Sequence, residues 1–369
     1  MTKVIHLITG LDKGGAETNL YQILKNKKDG SLDYSVVSLS DGGFYKDKIS
    51  ELGVPVVCFD FKRRPLSSFN GVKKIVKGSD VLFCWMSHAN LIGYYSARGK
   101  RVKKLIWGIR HSNLDKCLEK KSNIAVTKLC ARLSKKVDVI AFNGNRSKEA
   151  YEDAGFKGKS NIVIENGVDT DEFSPNHRDR PALCKMAGIP EDSTIVLSVA
   201  RYHPIKGIPY FLKAFSELRR TTPRAVALLC GGGIDPENVE LTGMCEELGL
   251  EPGKDVILMG QRNDLPFIMA SSDLYVLHSV SEAFPNTLAQ AMASGCLCVS
   301  TDAGDAAAIL NSPDLIAAPR DPEGLLEKIG SALALPEEEK ERRKALNRTR
   351  IETAYNIKTV VCKYEGLCK

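Results

Sequence analysis

Two stretches of the chain hold the residue types that phosphate and sugar chemistry needs. SVARYHPIKG (198–207) places Arg201 and Lys206 five residues apart, at the end of the apolar, β-branched run TIVLSVAR (194–201). Arg brings a planar fork and Lys a point charge, and the two together can clamp a diphosphate. If that diphosphate departs, the same cations stabilise the negative charge that grows on it in the transition state. SVSEAFPNTLAQAMASGCLCVSTDAGD (279–305) is the second stretch. A helix beginning near Pro285–Asn286 would leave the amides of Asn286 and Thr287 among its unpaired N–H groups, aimed at an anion in front. Gln290 falls about one turn further on, where its amide can reach ribose hydroxyls. Glu282, eight residues before Gln290, can accept hydrogen bonds from the hydroxyls of a sugar.

Two further segments are compatible with a ligand and with plain structure alike. GLDKGGAET (10–18) is a Gly-rich strand-to-helix turn, in which Gly14 and Gly15 would let a phosphate or sugar approach the backbone. It is not GxGxxG, which disfavours a dinucleotide site. WGIRHSN (107–113) carries Arg110 and His111 at the carboxyl end of a strand. There His111 is either a satisfied loop histidine or a hydrogen-bond donor to a sugar.

The elements that must hold these residues alternate between strand and helix. Apolar, β-branched runs occur at 3–9, 34–40, 54–61, 80–86, 103–111, 138–144 and 161–167, with helical spacing between most of them. The pattern restarts at 194–201, 225–233, 255–260, 273–279 and 296–301. Such alternation predicts α/β architecture, a parallel sheet covered on both faces, occurring twice. Ligands bind beyond the carboxyl ends of the strands, so two facing sheets would share a cleft. The turn-rich NGVDTDEFSP (166–175) reads as a linker, giving domains 1–167 and 168–354. PEEEKERRKALNRTRIETAYN (336–356) predicts a charged helix, and 355–369 an amphipathic one.

Length and composition set the outer limits. A chain of 369 residues is too long for one ordinary core, and 43% hydrophobic with 26% charged residues is usual for a globular protein. No apolar run approaches the roughly 18–20 residues that span a bilayer. MTKVIHLITG reads as a first strand, not a signal peptide. The 11 cysteines are scattered, with no CxxC pair, and several sit in apolar runs (Cys58, Cys84, Cys230, Cys296, Cys298), as buried reduced thiols do. Charge is unevenly divided: residues 1–167 hold 30 Lys and Arg against 16 Asp and Glu, while residues 168–369 hold 22 against 29. A basic half suggests contact with an anionic surface. Few aromatics are interleaved, which argues against a single-stranded nucleic acid. The basic stretch 113–138 fits a headgroup-layer helix, but fits better a helix packed on its own sheet.

At these motifs the chain resembles the retaining glycosyltransferases of the GT-B fold, group 4 (group 1 type). GGAE, WGIRHSN, NGVDTDEFSP, RYHPIKG, SEAFPNTLAQAMASG and VSTDAGD carry the likeness almost end to end. The resemblance implies two facing Rossmann-like domains: an acceptor-side domain (1–167), a nucleotide-sugar-binding domain (168–354), and a C-terminal helix (355–369) packing back on the first. It implies transfer from a nucleotide sugar, most simply a UDP-sugar, to a glycan or lipid-linked oligosaccharide in bacterial surface polysaccharide or glycolipid synthesis. Retention of configuration, no metal and no cofactor are implied with it.

Catalytic roles would fall to His111, Arg201, Lys206 and Glu282. Donor contacts would come from Gly15, Arg201, Lys206, Arg262, Glu282, Phe284, Asn286, Thr287 and Gln290, and acceptor contacts from Gly14, Gly15 and Arg110. The partners implied are the sugar donor, the glycan or lipid-linked acceptor and an anionic membrane surface, with no nucleic acid. The location implied is the cytoplasm, at the inner face of the plasma membrane. The family's second Glu is replaced here by Gln290, which offers one acceptor and one donor group where a carboxylate accepts from both ribose hydroxyls. The competing readings are a nucleotide-sugar epimerase on the same architecture and a non-catalytic nucleotide-binding relative.

Overall fold

The computed structural model describes residues 1–99, 102–110 and 121–369. The chain divides into two units, Met1–Gly167 with Ile357–Lys369, and Val168–Asn356.

The first unit is built on seven parallel strands: β1 (Thr2–Ile8), β2 (Leu32–Ser38), β3 (Val56–Cys58), β4 (Val81–Trp85), β5 (Lys104–Ile109), β6 (Val139–Phe142) and β7 (Ser160–Val163). Their order is β3-β2-β1-β4-β5-β6-β7. The central strands are apolar along their whole length because helices cover both faces. In β4, VLFCW, all five side chains are buried. One face packs Val4, Ile8 and Trp85 against Val360, Val361 and Tyr364 of the helix Ile357–Cys368. The other packs Leu7, Cys84 and Trp107 against the helices that follow the strands. Within the stretch 113–138, residues 113–120 lie outside the described residues. The rest forms the helix Lys121–Leu133 and a short 3-10 turn, and Cys130 is buried there with its thiol on the Ser87 carbonyl at 3.5 Å.

The second unit carries β8 (Thr194–Val199), β9 (Ala225–Cys230), β10 (Val256–Leu258), β11 (Leu274–Leu277), β12 (Leu297–Thr301) and β13 (Ile316–Ala317), in the order β10-β9-β8-β11-β12-β13. Each unit is therefore a Rossmann-like α/β domain, as the strand–helix alternation predicts. Only β13 has no counterpart in the sequence reading, since two residues give no periodicity. The helix Ile208–Thr221 buries Phe211, Phe215 and Leu218 at helical spacing against the sheet. The helix Glu337–Ala354 holds the start of this domain in place: Arg348 donates to the carbonyls of Phe173 at 3.0 Å and Thr170 at 3.2 Å. Of the singled-out cysteines, Cys84, Cys230, Cys296 and Cys298 are buried and Cys58 is half-buried. Burial pushes the Cys230 and Cys296 thiols up to about 12.

In the second sheet the strand order reverses between β8 and β11, which pair in parallel with Leu274 beside Val196. The carboxyl ends of two non-consecutive strands thus lie side by side, the position at which such sheets receive ligands.

Candidate active site

The loops leaving β8 and β11 meet at that switch point. After β8 the chain passes Arg201 and makes the 3-10 turn Pro204–Lys206, in which the His203 ring accepts from the Ile205 amide. Gly207 ends the turn at φ +69° and opens the next helix. A Cβ at this position would sit 2.3 Å from the His278 carbonyl oxygen, so only glycine allows the two loops to approach this closely.

His278 fastens them. Its ring is 2% exposed, donates from Nδ1 to the Lys206 carbonyl at 2.6 Å, and accepts at Nε2 from the Ser198 hydroxyl at 2.5 Å. The partners assign the tautomer. Phe211 stacks on it, with ring centroids 4.9 Å apart. The Val280 amide adds a bond to the Ile205 carbonyl at 2.8 Å. Burial, opposed in part by the bond to the Lys206 backbone, lowers the His278 pKa to about 4. The ring is therefore neutral at physiological pH.

With the backbone of Lys206 fixed, its ammonium reaches the Glu282 carboxylate. The same oxygen, Oε1, accepts from the Ser279 hydroxyl at 2.7 Å. The two charged side chains are 22% and 14% exposed. Gly304, at φ +59°, lies over this loop, where a Cβ would come within 2.2 Å of the Glu282 carbonyl. Arg201 is exposed. Its charge and that of Lys206 both act, after desolvation, to lower the pKa of His203.

The helix Asn286–Ala293 opens at Pro285 without a side-chain cap. Leu288, Ala289, Ala291, Met292 and Ala293 are buried, whereas Asn286, Thr287 and Gln290 are half-buried and share one face. Its first backbone bond runs from the Ala289 amide to the Pro285 carbonyl. The amides of Thr287 and Leu288 thus have no acceptor within the helix. Tyr275, buried in β11, donates to the Thr287 hydroxyl at 2.6 Å and fixes that side chain. The Phe284 ring packs in the core, 5.6 Å from the Tyr355 ring, so only its backbone is available to a ligand. Arg262, beyond β10, forks onto Asp264 through Nε at 2.9 Å and Nη2 at 2.5 Å. It follows β10, which is separated from β8 by one strand, β9, in the sheet.

The first domain places its expected residues differently. Gly14 caps the helix Gly15–Lys25. The Glu17 carboxylate folds back on its own amide, and a Cβ on Gly14 would meet it at 2.3 Å. Burial raises the Glu17 pKa. The Glu17 carboxylate thus lies against the Gly14 side of this turn. Arg110, expected to meet the acceptor, is 9% exposed. Its guanidinium lies 4.5 Å above the Trp85 ring and 5.3 Å from the Tyr364 ring and donates to the Tyr364 hydroxyl and to Asn166 Oδ1. It ties the helix Ile357–Cys368 to the sheet. His111 lies outside the described residues.

The comparisons with known proteins bear on the family and the fold. Residues 179–350 match the family described as glycosyl transferases group 1, and residues 13–172 match glycosyltransferase family 4. The chain belongs to this family of GT-B glycosyltransferases. It is similar to the Campylobacter jejuni N,N'-diacetylbacillosaminyl-diphospho-undecaprenol alpha-1,3-N-acetylgalactosaminyltransferase, 25% identical over 93% of this chain and 92% of that one. It is also similar to the Escherichia coli UDP-Gal:alpha-D-GlcNAc-diphosphoundecaprenol alpha-1,3-galactosyltransferase, 22% identical over 80% and 77%. Among solved structures, Anabaena HepE in complex with UDP and glucose shares the fold at a TM-score of 0.85 and 22% identity, over 99% of both chains.

His278, Ser279, Ser198 and Tyr275 escaped the sequence reading. Ser279 stands three residues before Glu282, and that spacing was the one available signal. The others act across strands, where sequence distance says nothing.

Two outcomes follow from the fastening. Gly207→Ala should cost about 2 kcal/mol or more, because a left-handed alanine adds to the clash; urea unfolding measures it. The His278 pKa is depressed from 6.5 to about 4, so between those values the unfolded chain binds the extra proton. Stability should be full above pH 6.5 and fall by about 1 kcal/mol per pH unit down to pH 4, to be read from urea midpoints across that range. His6, lowered to about 3 by burial and Arg110, adds to the slope, and His278→Gln should reduce it without abolishing it.

Proposed function

We propose that the second domain holds a UDP-sugar and that the first receives a glycan or lipid-linked acceptor, with transfer retaining the anomeric configuration. The observation that carries this reading is the pair of cations, exposed Arg201 and half-buried Lys206, at the strand ends where Glu282 and the opening of the helix Asn286–Ala293 converge. Arg201, Lys206 and the Thr287 amide suit the diphosphate, and the Glu282 carboxylate suits sugar hydroxyls. Gln290, on the same face as Thr287, suits the ribose. HepE, of the same fold, has been solved with UDP-glucose.

The relatives named above form alpha linkages. UDP-sugars of the gluco and galacto series are α-linked at the anomeric carbon, so an alpha product from such a donor means retention. In the reaction we infer, the bond from C1 to the diphosphate oxygen breaks. The acceptor oxygen bonds to C1 on the same face, and its proton passes to the departing phosphate oxygen. Arg201 and Lys206 neutralise the charge that accumulates there, so the reaction is expected to proceed without a metal.

The acceptor's chemistry bears on location. Both relatives named above act on undecaprenol diphosphate-linked sugars, and residues 1–167 carry a net charge of +14. Among the described residues no helix is long and apolar enough to cross a membrane. Between Asp60 and Asp80 there are six Lys and Arg residues and no carboxylate. There Leu66, 81% exposed, opens the helix Pro65–Val76 beside exposed Lys62, Arg63 and Arg64. Lys73 and Lys77 follow at helical spacing on the side away from buried Ser68, Val72 and Val76. Anionic headgroups at the inner face of the plasma membrane match this segment.

Incubation with a UDP-sugar panel and undecaprenol diphosphate-linked acceptors should release UDP, with an alpha linkage in the product and no loss in EDTA. Arg201→Ala or Lys206→Ala should each lower kcat by about 100-fold or more, the scale of one transition-state charge contact; near-normal rates in both would overturn their roles. The protein should float with phosphatidylglycerol vesicles and not with phosphatidylcholine vesicles. Lys73→Glu with Lys77→Glu should weaken flotation by about 30-fold or more, since each basic residue lost near an anionic surface is worth about 1 kcal/mol.

A further inference from the structure

We propose that Glu282 holds Lys206 until the hydroxyls of a donor sugar take the ammonium's place, so that the site distinguishes a complete nucleotide sugar from the bare nucleoside diphosphate. The proposal rests on the reading of this site given above. It starts from a difference between the two cations. Arg201 is exposed, and no hydrogen bond or ion pair ties it down among the described residues. Lys206 is already engaged, its ammonium on Glu282 Oε1, the oxygen that also accepts from Ser279. A diphosphate must therefore compete with a carboxylate for Lys206, while Arg201 is available at once.

The competition has a definite geometry. The Lys206 carbonyl is held by His278, the Ile205 carbonyl is held by Val280, and Gly207 fits against the His278 backbone. The loop stays in place, and the exchange is a rotation of one side chain. When a bare nucleoside diphosphate draws Lys206 away, the Glu282 carboxylate, 14% exposed, loses its cation where water replaces it poorly. It also faces the incoming negative charge. When the ligand carries its sugar, hydroxyl groups donate to that carboxylate and the ammonium leaves without loss. After transfer the sugar departs, Glu282 recovers Lys206, and the remaining diphosphate is held more weakly. One ion pair thus favours binding of the substrate and release of the product.

The test is calorimetric titration of the full chain with UDP, in wild type, Glu282→Gln, Lys206→Met and the double variant, each first checked for unchanged thermal unfolding. Glu282→Gln is expected to bind UDP about five-fold more tightly than wild type, the equivalent of a partly buried pair of about 1 kcal/mol, while its sugar transfer falls. In the Lys206→Met background the same substitution is expected to change UDP affinity less than two-fold. Equal or weaker UDP binding by Glu282→Gln overturns the proposal. Tightening of the same size in the Lys206→Met background also overturns it, because the carboxylate would then act by repulsion alone. Failure of the wild type to bind UDP or any other nucleoside diphosphate is a separate outcome, which overturns the donor site itself and this proposal with it.

Discussion

One buried imidazole governs the geometry of the second domain's ligand edge. His278 accepts a hydrogen bond from the Ser198 hydroxyl, near the end of one strand, and donates one to the carbonyl of Lys206, in the loop beyond it. Backbone carbonyls in loops ordinarily turn to water. Here the carbonyl is paired inside the protein, and the Lys206 side chain must therefore emerge beside Glu282. The arrangement depends on the ring staying neutral, which burial ensures. It depends equally on Gly207, because any side chain there would separate the surfaces that the imidazole joins.

The polar residues around it form a graded shell. Tyr275 and Ser198 are buried and make fixed bonds to Thr287 and His278. Lys206, Glu282, Thr287 and Gln290 are half-buried, able to exchange partners yet limited in direction. Arg201 is outermost and exposed. A site that must bind a polyanion, discriminate a neutral sugar and release a polyanion again benefits from such grading. Rigid elements set positions, and only the outer charges need to move.

Much of this was legible in the sequence, for physical reasons. Parallel strands buried on both faces have to be apolar throughout, so VLFCW and AVALLC stand out as β4 and β9. The motif residues follow strand ends because that is where backbone leaves the sheet. What the sequence hid was partnership. Arg110 looks like any cation at a strand end. It is buried because Trp85 and Tyr364, 25 residues before it and 254 after it, provide aromatic faces for the guanidinium. Phe284 lies within the donor motif, yet its ring belongs to the core. Glu17 reads as an ordinary first-turn acid, and nothing in the spacing says that it bends back over Gly14. Each of these turns on a contact between distant segments or on a side-chain rotamer, and neither leaves a periodic trace.

The aromatic seat of Arg110 also bears on the order of synthesis. The helix Ile357–Cys368 completes a core whose other members, among them Val4, Ile8 and Trp85, are made first. The whole of Val168–Asn356 leaves the ribosome in between. The second domain is continuous and can close as it emerges. The first must wait through its neighbour's translation with one face of its sheet uncovered and a guanidinium without its second ring. For that interval the nascent chain carries an apolar surface of the kind that chaperones bind, and the helix Ile357–Cys368, made after the second domain, is the element that removes it.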